Sequence, residues 1–275
     1  MKAQETPYFT QTAWRTLAVL EALSQTQGGL GVSDLSRKLD SPKASLYPIL
    51  RTMEASGYIR RRAKGVYVLT SRILDLAQGY FTQNSFTEIF NEVSRALVPV
   101  LEETMQMAVL DDTEVVYVAK RECDRPVRLV SEVGRRLPAH ATALGKCLLA
   151  TLDDVEIERR YQAPALPMLT ANTIGSVPAL RKELKKVRAA GYAEDWEEAS
   201  EGLCCVAAPV AGADGEVVAA VSLSLPLHRA GADRWPRLRE QLRAAAGEIS
   251  KRLGGDGSRY RAEPGGQMVP KAGGI

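Results

Sequence analysis

Two stretches of this chain concentrate residue types that could hold a small molecule. The first covers residues 137–150, LPAHATALGKCLLA, where small residues stand directly before a predicted helix. Small side chains let a ligand approach the backbone closely, and the free N–H groups at a helix start attract carboxylates. The same pattern is typical of tight packing, which on these residues alone is the commoner explanation. The small residues are Ala139, Ala141, Thr142, Ala143 and Gly145.

The second stretch, residues 191–210, carries acidic residues and thiols. Asp195, Glu197 and Glu198 could act as an acid–base cluster, but no nucleophile motif, phosphate-binding loop or metal signature accompanies them. The adjacent Cys204 and Cys205 could form a thiol switch, yet they lack Cys-x-x-Cys spacing, and strand alternation places them on opposite faces. We therefore predict a binding site and no enzyme activity.

Histidine is too rare in this chain to support metal binding or histidine catalysis. The chain has two histidines, His140 and His228, far apart in the sequence, so neither a metal-ligand set nor a catalytic histidine network can be assembled. We predict no catalytic residue, no metal and no cofactor.

The first seventy residues show a different pattern, that of a helix-turn-helix. Three helices are predicted, separated by Gly28-Gly29 and by the turn Asp40-Ser41-Pro42, and Gly57 ends the third. A short helix, a tight turn and a longer helix make this motif. The positions of the helical stripes are Trp14, Leu17, Ala18, Leu20 or Glu21, and Leu23, then Val32, Leu35 and Leu39, then Ala44, Leu46, Ile49, Leu50 and Met53.

Residues 58–70, YIRRRAKGVYVLT, predict a basic β-ribbon, or wing, that turns at Lys64-Gly65. Cations on such a ribbon can neutralise DNA phosphates, while the first turns of the third helix face base edges in the major groove. A winged domain that docks a protein is the alternative interpretation. The predicted DNA contacts are Lys43, Ser45, Tyr47 and Arg51 on the helix and Arg60, Arg61, Arg62 and Lys64 on the wing.

Pro48 conflicts with this recognition helix. A proline inside a helix lacks the N–H donor and costs about 3 kcal/mol. We therefore expect the third helix either to kink at Pro48 or to begin later.

The charge distribution and the composition indicate two domains that bind different partners. The net charge of the 275 residues is +3, but Lys and Arg outnumber Asp and Glu by eleven to five over residues 1–72. This asymmetry favours a polyanionic partner for the first quarter of the chain. There is no apolar run of about 18 residues and no signal-peptide core, so we expect a cytoplasmic protein without a membrane partner.

The remaining residues predict an α+β domain with an antiparallel sheet. A helix is expected over residues 71–105, with an apolar face that favours dimerisation; the alternative is that this face packs on its own domain. A hairpin follows at 107–110 and 115–119, then a strand at 127–130, helices at 143–150, 155–161 and 177–190, strands at 203–210 and 217–224, and a helix at 235–253.

The blocks at 137–150 and 191–210 resemble the effector-binding domain of the IclR family of bacterial transcription factors. The resemblance implies a winged helix-turn-helix domain over 10–71, a linker helix over 72–92 and a GAF-like α+β effector-binding domain over 93–253. It also departs at Pro48, where the family usually has an arginine. Residues 254–275 are rich in Gly, Pro and charge, which predicts a disordered tail.

The resemblance further implies a cavity for a small carboxylic or aromatic acid. Its residues, carried over by position, are Leu129, Leu137, Ala143, Leu144, Asp195, Leu203, Cys205, Ser222 and Ser224. The implied function is a regulator that binds a double-stranded DNA operator as a homodimer or homotetramer, with the acid modulating that binding. The alternatives are a small-molecule-converting enzyme and a thiol-based redox sensor, each with a protein-docking winged domain.

Overall fold

A computed structural model describes residues 9–83, 86–124, 132–163 and 165–255 of the chain. The chain divides into two compact units, residues 1–84 and 85–275. The predicted strand at 127–130, the predicted cavity residue Leu129 and the predicted tail beyond residue 255 lie outside the described residues.

The N-terminal unit is a winged helix-turn-helix. Its strands form a three-stranded antiparallel sheet in the order β1-β3-β2. The two-residue strand β1 was not predicted, because so short a segment has no periodicity. The elements are α1 (Gln11–Ser24), β1 (Leu30–Gly31), α2 (Val32–Lys38), α3 (Lys43–Ala55), β2 (Ile59–Arg61), β3 (Val66–Leu69) and α4 (Arg72–Gln83).

Helices α1, α2 and α3 each pack through one apolar face. In α1 the buried face is Val19, Ala22 and Leu23, whereas the predicted core residue Leu17 is 60% exposed. The prediction for Leu17 is wrong, because the tertiary contacts select a stripe displaced around the helix. The buried core of α2 and α3 consists of the predicted residues Leu35, Leu46, Ile49, Leu50 and Met53, closed by Ile59 and Tyr67 from the wing. Ala44 was predicted on the same apolar stripe but is exposed, so that prediction is wrong.

Helix α3 runs from Lys43 to Ala55 with Pro48 inside it, so it does not begin later. Pro48 and Ala44 are both on the exposed side. The Ala44 carbonyl, which loses its i+4 donor at Pro48, therefore faces solvent that can satisfy it. One turn later, the Thr52 hydroxyl donates to the Pro48 carbonyl at 2.9 Å.

The C-terminal unit is an α+β domain, as predicted. Its six described strands form one antiparallel sheet in the order β6-β5-β4-β9-β8-β7. The elements are α5 (Phe86–Leu101), β4 (Thr104–Asp111), β5 (Glu114–Arg121), β6 (Arg136–Pro138), α6 (Ala143–Leu149), α7 (Asp154–Arg160), α8 (Val177–Ala190), β7 (Ala193–Trp196), β8 (Leu203–Ala211), β9 (Val217–Pro226) and α9 (Arg234–Arg252).

The helix predicted through residue 105 ends earlier. Helix α5 stops at Leu101, Glu102 takes a left-handed backbone conformation with φ of 55°, and β4 begins at Thr104. The apolar residues near 105 therefore belong to a buried strand, which a short apolar run cannot distinguish from a helix. The predicted linker helix over 72–92 falls on α4, on the first turns of α5 and on residues 84–85, which are not described.

The sheet is covered on both faces. Helices α5 and α9 pack on the face where Met105, Val206 and Leu223 are buried. Helix α6 packs on the other face, against Ala108, Ala207 and Ala220. The residues at these sheet positions are small, and polar residues of the same face, among them Gln106 and Ser222, lie next to them.

Candidate functional site

Four of the predicted cavity residues share one face of the sheet. Strand register pairs Asp195 with Cys205 and Cys205 with Ser224, so three neighbouring strands contribute one row. The adjacent row contains Ser222, paired with Ala207. Directly opposed residues on neighbouring strands have Cβ atoms about 5 Å apart. The register therefore brings together side chains that are distant in the sequence.

Helix α6 lies over these rows and contributes two more of the predicted residues. Ala143 and Leu144 are buried in its first turn, and the Gly145 N–H donates to the Thr142 hydroxyl at 2.9 Å as a helix cap. Leu137 packs against the same apolar cluster from β6. Leu203, at the start of β8, is half-buried.

The hydroxyls of this face differ in their bonding. Ser224 Oγ lies 3.1 Å from Gln106 Oε1 and 3.1 Å from Cys205 Sγ. Ser222 Oγ is buried and has no hydrogen-bond partner among the described residues. Since an unpaired buried hydroxyl costs roughly 1–3 kcal/mol, Ser222 is placed to accept or donate a bond to a bound molecule.

Asp195 is the acidic group of this face. Its Oδ1 accepts the N–H groups of Glu198 at 2.7 Å and Ala199 at 3.4 Å. Burial nevertheless raises the pKa of Asp195 to about 7, and the charge of Glu198 adds to this effect while Lys146 opposes it. Near neutral pH the carboxyl is thus available both as an acceptor and, when protonated, as a donor.

Neither thiol of the adjacent pair has the environment of a reactive cysteine. Burial and the nearby Asp195 charge raise the pKa of Cys204 to about 12 and that of Cys205 well above its usual value. The thiolate, which is the reactive form, is therefore disfavoured at both positions. This argues against the redox-sensor alternative.

The surroundings of His140 indicate a structural role. Its ring is buried, Nε2 lies 2.9 Å from the Pro167 carbonyl, and burial lowers its pKa. A neutral ring that donates to a backbone carbonyl secures the loop before α6. Within the described residues there is no group of three or more His, Cys, Asp or Glu side chains suited to a metal ion. No helix in the described part of the chain has the length and apolar character needed to cross a membrane.

The wing presents its cations on two sides. Arg60, Arg62 and Lys64 are exposed, and Lys64 takes a left-handed conformation with φ of 62° at the turn. Arg61 is exposed but packs inward, since its guanidinium carbon lies 6.0 Å from the centre of the Tyr67 ring. Its backbone N–H donates to Glu54 Oε1 at 3.1 Å. Arg61 thus stiffens the wing, and the other three cations project freely.

The exposed side of α3 carries most of the predicted base-contacting residues. Lys43 and Arg51 are exposed, Tyr47 is 48% exposed, and Ser45 is half-buried. These side chains lie away from the apolar face formed by Leu46 and its neighbours. The helix-turn-helix geometry therefore leaves them accessible to a groove of DNA.

Comparison with protein families identifies both units. A family model described as the C-terminal domain of the bacterial transcriptional regulator IclR matches residues 78–251, and one described as the IclR helix-turn-helix domain matches residues 12–63. The chain belongs to the IclR family. It is a transcriptional regulator with a helix-turn-helix domain and an effector-binding domain.

Individual relatives agree with this assignment. The IclR-family regulator KdgR of Dickeya chrysanthemi is 32% identical over 249 residues, covering 90% of this chain and 81% of the relative. The repressor AllR of Klebsiella pneumoniae is 31% identical over 245 residues, covering 89% and 90%. The crystal structure of an IclR homologue from Microbacterium hydrocarbonoxydans, complexed with 4-hydroxybenzoate, has a TM-score of 0.78 and 26% identity, covering 88% and 99%.

The sequence analysis did not predict two further residues on this face of the IclR-family domain. Gln106 pairs in register with Ser222, and Tyr117 pairs with Ala108 on the same face. Burial, reinforced by the charges of Cys205 and Asp195, raises the pKa of Tyr117, so its phenol stays protonated. Alternation along the predicted hairpin could have placed Tyr117 on the face of Ala108, whereas Gln106 precedes the predicted first strand. Neither residue could have been placed beside residues from β8 and β9.

Gly145 is essential to the approach of α6 in this IclR-family fold. A Cβ added there would lie 2.1 Å from the Ala139 carbonyl oxygen and 2.3 Å from the Ala139 Cα. We expect Gly145→Ala to destabilise the C-terminal unit by about 1–3 kcal/mol, because backbone must move to relieve the clash. Urea unfolding would measure this loss.

Gly247 provides the matched control for that substitution. It lies inside α9, and a Cβ added there would meet nothing within 4 Å. Gly247→Ala should therefore stabilise the helix by about 0.5–1 kcal/mol. Equal effects of the two substitutions would show that the contact with Ala139 is not the cause.

Proposed function

We propose that this regulator binds a palindromic double-stranded operator through its winged domain, and that a small organic or aromatic acid held between α6 and the sheet modulates that binding. Modulation requires the acid to bind more tightly to one DNA-binding state than to the other. The observation that carries the proposal is the buried face that gathers Asp195, Cys205, Ser222 and Ser224 under the first turn of α6.

The chemistry of that face supports an acid as the ligand. The wall contributed by Ala143, Leu144 and Leu137 is apolar, while the polar groups converge on a small area, as in typical small-molecule cavities. The Ser222 hydroxyl is unpaired, and Asp195 can donate when protonated. The Microbacterium relative binds an aromatic acid, 4-hydroxybenzoate, which is consistent with this ligand class.

The wing and α3 support the DNA half of the proposal. Three cations of the wing project freely, and the exposed side of α3 presents Lys43, Tyr47 and Arg51. Cations supply phosphate contacts, and the helix supplies base contacts. Pro48 stands where the family usually has an arginine, so an arginine contact to DNA is missing there. Tyr47 and Arg51, which lie close to Pro48, would make more of the base contacts instead.

We propose a homodimer or homotetramer as the binding species. Leu74 and Leu76 of α4 are 67% and 58% exposed, and apolar side chains on a connecting helix are suited to a second copy of the chain. Paired winged domains would reach two successive major grooves, which explains a palindromic operator. Analytical ultracentrifugation of the full chain tests this assembly.

The ligand half of the proposal predicts a specific defect for Ser222→Ala combined with Ser224→Ala. Hydrogen bonds to a charged group contribute roughly 1.5–3 kcal/mol each, so the loss of both should weaken acid binding by about 100-fold or more. DNA affinity without ligand should persist. Binding would be measured by calorimetry with an acid panel of pyruvate, butanoate, benzoate and 4-hydroxybenzoate.

The exposed Ser200→Ala serves as the control and should bind the acids like the wild type. If the acids bind the double serine variant as tightly as they bind the wild type, the cavity is not the site. Mobility shift of the regulator's own upstream region, with and without the bound acid, shows whether the ligand changes operator affinity.

A further inference from the structure

The cavity face includes a buried ion pair that the implied ligand residues do not contain. Lys146 Nζ lies 2.5 Å from Glu198 Oε1, and the two side chains are 1% and 12% exposed. A lysine so deeply buried is rare, because removal of its ammonium from water is costly. The pair therefore needs an explanation beyond surface electrostatics.

The pair belongs to the elements that form the cavity. Lys146 lies one turn after Ala143 in α6, and the Glu198 N–H donates to Asp195 Oδ1. The positive charge of Lys146 lowers the pKa of Asp195 and of Cys205, although burial outweighs it at both. Glu198 therefore connects the ammonium to Asp195, a residue of the proposed ligand site.

The charges of this pair are only partly compensated. Glu198 Oε2 is buried and has no hydrogen-bond partner among the described residues. Burial raises the pKa of Glu198 against the effect of Lys146, and the charge of Glu183 raises it further. The Lys146 ammonium is thus the counter-ion of Glu198, and its charge also lowers the pKa of Asp195. A buried ion pair stabilises a protein only when its remaining polar atoms are also satisfied.

An anionic ligand would add a further negative charge to this site, beside that of Glu198. Lys146 is the one lysine or arginine that is fully buried among the described residues. A carboxylate on the same face would therefore interact most strongly with Lys146. Glu198 would compete for the same ammonium and repel the ligand.

We propose that Lys146 is a specificity-determining residue of this cavity, whose ammonium selects ligands with a carboxylate in competition with Glu198. The inference rests on the proposed acid-binding function and adds the group that recognises the charge. If the ion pair had only a structural role, its removal would change the affinities for acids and for their neutral analogues equally.

The test uses Glu198→Gln and the acid panel, with the primary amide of each acid as its neutral counterpart. Gln keeps an oxygen acceptor for Lys146 but removes the competing charge. We expect acids to bind about tenfold more tightly to this variant, because a like charge is removed from a desolvated site. Amide affinity should stay unchanged. Glu156→Gln, which removes a carboxylate from the exposed ion pairs of α7, should change neither.

A second variant, Lys146→Met combined with Glu198→Gln, removes both charges and so avoids an unpaired buried ion. Its preference for acid over amide should fall by about tenfold or more relative to the wild type. If acid and amide change together in both variants, Lys146 is structural and the inference fails. If no acid of the panel binds the wild type, the ligand half of the proposed function fails instead.

Discussion

Replacement of Arg60, Arg62 and Lys64 together by alanine should reduce affinity for duplex DNA by roughly 100-fold or more at physiological salt, and lower the salt dependence of log Kd by about 2–3. These cations project from the wing without the packing that Arg61 makes on Tyr67. Their contacts to phosphates do not depend on sequence, so the loss should appear on any duplex. Fluorescence anisotropy across a salt series measures both quantities.

The control for that variant removes the same charge from the other unit. Lys182, Lys185 and Lys186 are exposed on α8, so their triple alanine variant changes net charge equally. If DNA binding depends on net charge alone, both triple variants will lose the same affinity, and the wing assignment is then wrong. An unchanged salt dependence in the wing variant would contradict it as well.

Asp195→Asn should make the C-terminal unit more stable than the wild type at and above neutral pH. The pKa of Asp195 is about 7 in the folded chain and has an ordinary value of 3.8, so the folded state holds the proton more tightly. The contribution of this protonation to the free energy of unfolding is largest below pH 3.8. It decreases as the pH rises toward 7 and is lost above that pH. The total is at most about 4 kcal/mol, at about 1.4 kcal/mol for each pH unit.

Asparagine cannot ionise, and its Oδ1 can still accept the Glu198 and Ala199 N–H groups. The stability gap between the variant and the wild type should therefore grow between pH 4 and pH 7 and then level off. Urea unfolding in a Trp14→Phe background measures it, because Trp196 and Trp235 of the C-terminal unit are then the remaining tryptophans.

The exposed Asp233→Asn is the control for this pH dependence and should follow the wild-type profile. Parallel profiles for Asp195→Asn and the wild type would show that Asp195 is ionised throughout this range. In that case Asp195 could act only as an acceptor, and the proposed donor role toward an acid would be withdrawn.

Several features of this chain follow directly from local sequence. The turn at Lys64-Gly65, the end of α3 before Gly57 and the hairpin after Leu110 depend on residues that are neighbours in the chain. Local backbone preferences and apolar periodicity determine such elements. The basic wing followed from charge, and the α+β domain followed from the order of predicted strands and helices.

The errors occurred where distant contacts override local signals. Leu17 fits the apolar stripe of α1 in sequence, yet Val19 is buried instead. The prediction that the helix continues past Leu101 is wrong, because Glu102 has a left-handed backbone conformation. The apolar residues that follow belong to a strand in the middle of the sheet. In both cases packing against neighbouring elements, and not the local sequence pattern, determined the structure.

By itself the sequence determined the two domains and the cationic wing, because composition, periodicity and residue spacing are local properties. The motifs of residues 137–150 and 191–210 indicated the family by resemblance. Only the tertiary structure decided that Asp195, Cys205 and Ser224 lie in one row, that Arg61 packs on Tyr67, and that Lys146 meets Glu198. Those contacts depend on strand register and on exclusion of water, which arise when distant segments pack together.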